Sequence, residues 1–334
     1  MRTRLPAARL LLGLGLFLVA QIQKAAEPRL FHPIDHGKMD AGEGPVWHPD
    51  GYLLFSGDGK IHKRDDTGRT SVFRDDAQSN GMLLDQQGRL VVCESGRRRV
   101  TRTELGGTIT ILADHYEGHR FNTPNDLSID SQGRVYFTDP RYGPREDMEM
   151  KDQDGRLVEG VYRIDAPGKV ARIISHEVER PNGILVSPDD QFLYVADNNN
   201  NNIGGARKLW RFGLRADVAI DPSSRKLIFD WKGGRGPDGF KIDQKGRLYV
   251  AAGLNIANPP YETSKPLSGG VYVLSPEGKL QRFVPILNDE VTNCAFGGED
   301  LRTLFVTAGG HLWSFGVPDP GWARFSKSKS AARR

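Results

Sequence analysis

The chain repeats itself, and self-similarity at a spacing of tens of residues restricts its fold more than any other feature of the sequence. The pattern is clearest at Pro124-Asn125-Asp126-Leu127, where a short strand enters through a Pro-Asn pair, turns between Asp130 and Gly133, and returns as Val135 to Thr138. Five more variants open at Glu43-Gly44-Pro45, Ser79-Asn80-Gly81, Pro181-Asn182-Gly183, Pro237-Asp238-Gly239 and Thr292-Asn293-Cys294. Each continues as period-two segments separated by turn residues, the pattern of short antiparallel strands. The first five repeats hold four such segments, while the sixth offers only Ala295–Phe296, Leu304–Thr307 and Leu312–Phe315. Leu30–Ile34, ahead of the first repeat, belongs to none of them and is expected to supply the missing strand. Six four-stranded units closed in this way predict an all-β, six-bladed β-propeller. A β-helix or two sandwiches would share the periodicity but would leave the missing strand unexplained.

Charge narrows the partners. Residues 1–26 carry Arg2, Arg4, Arg9 and Lys24 around an apolar run from Leu10 to Ala20, the pattern of a secretory signal, and a run too short to span a membrane comfortably. Removing those four basic residues takes the net charge of +4 to zero. Residues 319–334 form a basic tail expected to be disordered, and its five Lys and Arg from Arg324 onward leave the body at −5. A nucleic-acid footprint needs a basic face on the folded domain, so no nucleic acid and, after signal removal, no membrane is expected as partner. The domain is thus residues 27–318 of a monomeric periplasmic or secreted protein. Cys93 and Cys294 fall in repeats that are not neighbours, and are expected to be free, buried thiols.

Strand direction places the chemistry. In an antiparallel blade, the loops entering the first strand and those joining the second to the third lie on one face. The long segments Pro140–Gly160, Asn198–Lys208 and Gly253–Gly270 are of the latter kind, and long loops in compact domains are commonly lids or binding loops. Pro140–Gly160, with Arg141, Tyr142, Glu146 and Asp147, is expected to shape substrate choice without binding metal. On the same face the residues entering the six first strands are Glu43, Asn80, Asn125, Asn182, Asp238 and Asn293, all carboxylate or carboxamide. Oxygen-only donors with two carboxylates suit a hard divalent cation, Ca²⁺ above all. Asn-Gly and Asp-Gly pairs also make turns and cap strand entries, and that reading stays open. Asp139 and Asp197 end second strands and are read as caps. Gly234-Arg235-Gly236-Pro237-Asp238-Gly239 matches a dinucleotide fingerprint literally, but a proline and a strand follow where a helix is required.

The segments Glu43-Gly44-Pro45-Val46-Trp47, Arg120-Phe121-Asn122-Thr123-Pro124-Asn125-Asp126, Tyr136-Phe137-Thr138-Asp139-Pro140-Arg141-Tyr142-Gly143, Arg180-Pro181-Asn182-Gly183 and Pro237-Asp238-Gly239 resemble the signatures of the gluconolactonase/regucalcin family of six-bladed propellers, nearest its bacterial gluconolactonase branch. The likeness runs from about Leu30 to Pro318. It implies one divalent metal in the central channel, Ca²⁺ with Zn²⁺ or Mn²⁺ as alternatives, bound by Glu43, Asn182 and Asp238 with Asn125. It further implies Asp238 as general base, and Arg120, Asn122 and Asn125 near a sugar lactone substrate. Two other readings use the same face: a propeller binding module with a structural Ca²⁺, and an organophosphate-type hydrolase. No zinc-protease helix motif or serine nucleophile elbow is present.

Overall fold

The computed structural model describes residues 29–215, 217, 219–263 and 268–325. The expected signal segment, residues 1–26, and the basic stretch 326–334 lie outside the described residues. Six four-stranded antiparallel sheets stand around an axis, five of them pairing their strands in chain order from the innermost outward and the sixth taking its outermost strand from the N-terminal end. Blade 1 is built from Glu43–His48, Tyr52–Gly57, Lys60–Arg64 and Thr70–Arg74, and blade 3 from Leu127–Ile129, Val135–Asp139, Gly160–Ala166 and Lys169–Ile174. Blade 4 comprises Pro181–Val186, Phe192–Asn198, Arg207–Leu214 and Ile220–Asp230. Blade 5 opens with Pro237–Ile242, and blade 2 with Met82–Leu84. The inner strands are buried on both faces, as the pattern of Pro181–Val186 illustrates, whereas outer strands such as Thr70–Arg74 leave side chains in solvent. The core lies between blades: Tyr249, Val271 and Val284 of blade 5 pack with Phe296, Leu304 and Phe315 of blade 6. Both cysteines are free and buried, and burial raises both thiols, that of Cys294 to about 12. They are inert packing groups.

An N-terminal strand closes blade 6, but it is Ile34–Ala41 and not Leu30–Ile34. It pairs with Gly310–Gly316 through two register irregularities, with Gly37 and Asp40 at positive φ. Those bulges break the alternation, and a polar outermost strand carries little apolar signal to read. Charge and irregularity on such an edge also discourage pairing with other chains. Leu30 and Phe31 still make one step of contact, the first in a parallel bridge to Gly316 and the second against Phe315.

Each inner strand is polar where it enters and apolar beyond. Val46, Met82, Leu127, Ile184, Ile242 and Phe296 line a channel cavity of about 700 Å³ below the entry residues. Residues 319–325, placed by sequence in the tail, run across the far end of this channel. Gly321 bridges to Asp243, Trp322 donates its N–H to Ile242, and Arg324 bonds the carbonyls of Ile129, Pro188 and Ser187 and pairs with Asp190. The segment therefore ties blades 3, 4 and 5 together across the axis.

Candidate active site at the channel mouth

The six strand-entry residues form a closed circuit. A Cβ on Gly44 would come closer than 3.0 Å to the Asn80 carbonyl, one on Gly81 to Asn125, one on Gly183 to Asp238 and one on Gly239 to the Asn293 side chain. The approach of neighbouring blades therefore requires these glycines, and Gly44 also has a positive φ. Blades 3 and 4 are linked through Thr138, whose hydroxyl donates to Asn182 O at 2.6 Å and accepts from Asp126 N at 3.1 Å. Asn293 Nδ2 donates to Glu43 Oε2 at 3.0 Å and completes the circuit.

What the circuit presents inward is oxygen. Asn125, Asn182 and Asp238 are 8%, 3% and 4% exposed, and the Oδ1 of each is buried without a hydrogen-bond partner, as is Asn80 Oδ1. Buried acceptors are normally satisfied, so several orphans in one ring mark a place for a positive centre. Asp126 adds another: it is 2% exposed, with Oδ1 held by Leu127 N at 2.9 Å and Oδ2 unpartnered. Sequence reasoning assigned it no role. The available signal was its position, because it stands where four of the repeats have the glycine that follows the ring residue.

Charge crowding follows. Burial raises the Glu43 carboxyl to about 7, with Asn293 partly offsetting and the nearby Asp126 adding to the rise. Burial likewise pushes Asp238 well up, Glu43 contributing next and Arg235 opposing. Arg235 Nη2 is 4.0 Å from Asp238 Oδ2, and its Nη1 pairs with Glu290 at 2.5 Å. Among the described residues no three His, Cys, Asp or Glu side chains gather as a metal site. A cation held here would be bound by amide as much as by carboxylate oxygens.

The other expected site residues fall around this ring. Arg120 is exposed on a short hairpin, His115–Tyr116 with His119–Arg120, and its guanidinium is engaged by Glu149 of the long blade 3 loop at 2.5 Å. Asn122 is fully buried and donates Nδ2 to the carbonyls of Asp139 and Val158 at 3.0 and 2.9 Å, leaving only Oδ1 without a partner. Through its amide nitrogen it clasps the loop ends. Asp139 accepts from Asn122 N at 2.8 Å and Asp197 from Arg180 N at 3.0 Å, the capping roles expected of them. Tyr142, on the blade 3 loop, reaches the ring: Asn182 Nδ2 donates to its hydroxyl at 2.9 Å.

Fold and ring together define a six-bladed propeller with an oxygen-lined axial site on its loop-rich face. The chain belongs to the SMP-30/gluconolactonase/LRE-like family, whose characteristic region matches residues 41–310. It is 30% identical over 293 residues to the gluconolactonase of Zymomonas mobilis, covering 80% of this chain and 75% of that one. It is 29% identical over 276 residues to the 6-deoxy-6-sulfogluconolactonase of Pseudomonas putida, covering 80% and 82%. Among solved structures, a gluconolactonase from Xanthomonas campestris superposes with a TM-score of 0.69 at 29% identity, over 87% of this chain and 95% of that one.

Proposed function

We propose that this chain is a hydrolase of sugar lactones acting at the channel mouth with one divalent cation, Ca²⁺ in preference to Zn²⁺ or Mn²⁺. The observation that carries the reading is the set of buried, unpartnered oxygens on Asn125, Asn182 and Asp238. Those residues and Glu43 would hold the ion. An all-oxygen donor set favours a hard cation. When bound, such an ion polarises an ester carbonyl and makes a bound water more acidic.

The chain's own groups supply the rest. With Asp238 Oδ1 toward the ion, its Oδ2, 4.0 Å from Arg235 Nη2, is left to take a proton from an attacking water, the guanidinium favouring the ionised form. Glu43 has its Oε2 tied by Gly44 N and Asn293 Nδ2, both at 3.0 Å, a geometry suited to a ligand and not to proton transfer. Asn125 lies beside them for a sugar hydroxyl or the ion. The relatives named for lactones at about 30% identity favour this substrate class over a phosphotriester. The polar mouth favours an enzyme over a binding module, because a purely structural ion would leave no need for Asp238 beside a guanidinium. Residues 1–26 as a secretory signal and export of a monomer belong to the same proposal.

The test is turnover of a panel of aldonolactones with and without chelator, alongside Asp238→Asn. The variant keeps size and an oxygen donor, so we expect measurable metal binding and at least the roughly 10²-fold loss of turnover that follows removal of a general base. Chelator-resistant turnover would refute metal dependence, and absence of lactonase activity would favour the binding module.

A further inference from the structure

We propose that Tyr142 is a positioning residue that couples closure of the blade 3 loop to the cation-binding orientation of Asn182, so that loop closure and cation binding favour each other. This rests on the cation reading above. An asparagine amide has a donor end and an acceptor end, and only the acceptor end serves a cation. Asn182 is 3% exposed and sits in the ring with Oδ1 unpartnered. Its donor end is held outside the ring by Tyr142, whose hydroxyl accepts from Nδ2 at 2.9 Å. The hydroxyl has one proton and gives it to Asn198 O at 3.2 Å. A phenol keeps its proton at neutral pH, so that donor is present.

The direction of this relay fixes the amide. Turned the other way, Asn182 would face its oxygen against a hydroxyl already committed as donor, and would aim its N–H₂ at the axis. In the metal-free ring that reversed state has its own attraction, because Asn125 Oδ1 and Asp238 Oδ1 are acceptors without partners. Among the described residues no other hydrogen bond of the Asn182 side chain selects between the two states. By contrast, Asn293 spends its donor end on Glu43 within the ring itself. Asn182 is thus a ring amide whose orientation is set from a loop.

That loop, residues 140–159, is fastened beside Tyr142 through Arg141. Arg141 N donates to Glu159 Oε2 at 2.7 Å, and Arg141 Nη2 pairs with Asp147 at 2.6 Å. Glu159 in turn holds Arg180 at 2.8 Å, and the Arg180 guanidinium lies 5.3 Å from the centre of the Tyr142 ring. Closing the loop therefore delivers the hydroxyl to Asn182 as one unit. The sequence-based expectation that the loop acts on substrate alone gives way to a linked pair, in which whatever tightens one event tightens the other by the same factor.

Tyr142→Phe deletes one oxygen and keeps the ring under Arg180. Ca²⁺ affinity is measured by titration calorimetry on the metal-free full chain, wild type and variant, with Asn182→Ala as the reference for losing the ligand. Tryptic cleavage within 140–159 is followed with and without Ca²⁺. We expect affinity to fall about 5- to 10-fold, the scale of one lost orienting hydrogen bond, with an unchanged melting temperature in chelator. We also expect Ca²⁺ to slow loop cleavage in the wild type and to do so less in the variant. Equal affinities, a loop indifferent to Ca²⁺, or a metal-free variant that melts early would each overturn the coupling. A wild-type protein that hydrolyses lactone but binds no Ca²⁺ or Mn²⁺ would instead remove the cation reading, and the coupling with it.

Discussion

Replacing Glu43 by glutamine has opposite effects with and without the cation, and the sign reversal is the measurement. In the metal-free protein the Glu43 carboxyl is raised from 4.5 to about 7, chiefly by burial. A group raised on folding stabilises fully below its unfolded value, and that contribution is lost as pH rises through its folded value. The window is therefore about pH 4.5 to 7, and above it the ionised carboxylate weakens the fold by about 3 kcal/mol at 1.36 kcal/mol per pH unit. Glutamine escapes this, since its oxygen can still accept from Gly44 N and Asn293 Nδ2 while its N–H₂ meets unpartnered oxygens of the ring. At the low end of ~2 °C per kcal/mol for a chain of this size, Glu43→Gln should melt about 6 °C above wild type in chelator near pH 8. Near pH 5 the two should nearly coincide, because the wild-type carboxyl is then protonated. With saturating Ca²⁺ near pH 8 the order should invert, the variant having lost a charged ligand. Thermal unfolding under these three conditions decides. A variant no more stable than wild type in chelator near pH 8 would refute the claim that the ring holds a carboxylate against its own electrostatics.

Two further predictions concern the frame around the site. Asp139 is fully buried with its carboxyl raised to about 8, mainly by burial and against the hydrogen bonds from Asn122 and Thr123 N–H. Its stabilising contribution should fade as pH climbs from about 4 to 8, so Asp139→Asn should flatten the decline of melting temperature across that range, and an unchanged pH profile would reject this. Deleting residues 322–334 removes Trp322, Arg324 and Phe325 from the channel end, where Trp322 and Arg324 bond three blades. With about 1.5–3 kcal/mol for each large apolar side chain buried, the truncated protein should lose several degrees of melting temperature and bind an apolar dye, and one melting like the parent would show the segment to be idle.

Much of the fold was legible because a propeller states its rule six times. The inner strands, their order and the ring positions all follow from period-two segments behind a polar entry residue. The closing strand was misplaced because Ile34–Ala41 is polar, bulged at Gly37 and Asp40, and pairs with a partner far along the chain. The far-end strap escaped for a different reason: Trp322 and Phe325 sit in a basic context that reads as solvated tail, and only the shape of the channel gives them somewhere to go. The clasp of Asn122 to Asp139 and Val158 was not legible because it depends on loop ends separated in sequence. Tyr142 stood on a long loop and within a family-like segment, but nothing in either pointed to Asn182.

The position after each ring residue shows how a symmetric frame produces an asymmetric site. Four blades need glycine there, since the neighbouring backbone or ring side chain occupies the space a Cβ would take. The two exceptions are Asp126 and Cys294, so these are the places where the repeat admits a side chain close under the ring. Cys294 is spent on packing: its thiol donates to Tyr249 O at 3.3 Å and burial raises it to about 12, out of reach of reaction. Asp126 is not spent, because Oδ2 is buried without a partner and its charge is felt by Glu43, Asp238 and both cysteines. Against the three acids Glu43, Asp126 and Asp238 stand Arg235, drawn off by Glu290, and Lys241, whose ammonium bonds Phe240 O at 3.2 Å and Asn293 Oδ1 at 3.4 Å. The axis is therefore left short of positive charge on the side of the ring where the orphan oxygens lie. A single departure from the repeat, Asp for Gly in blade 3, adds a third acid to that imbalance, and a divalent ion would relieve it.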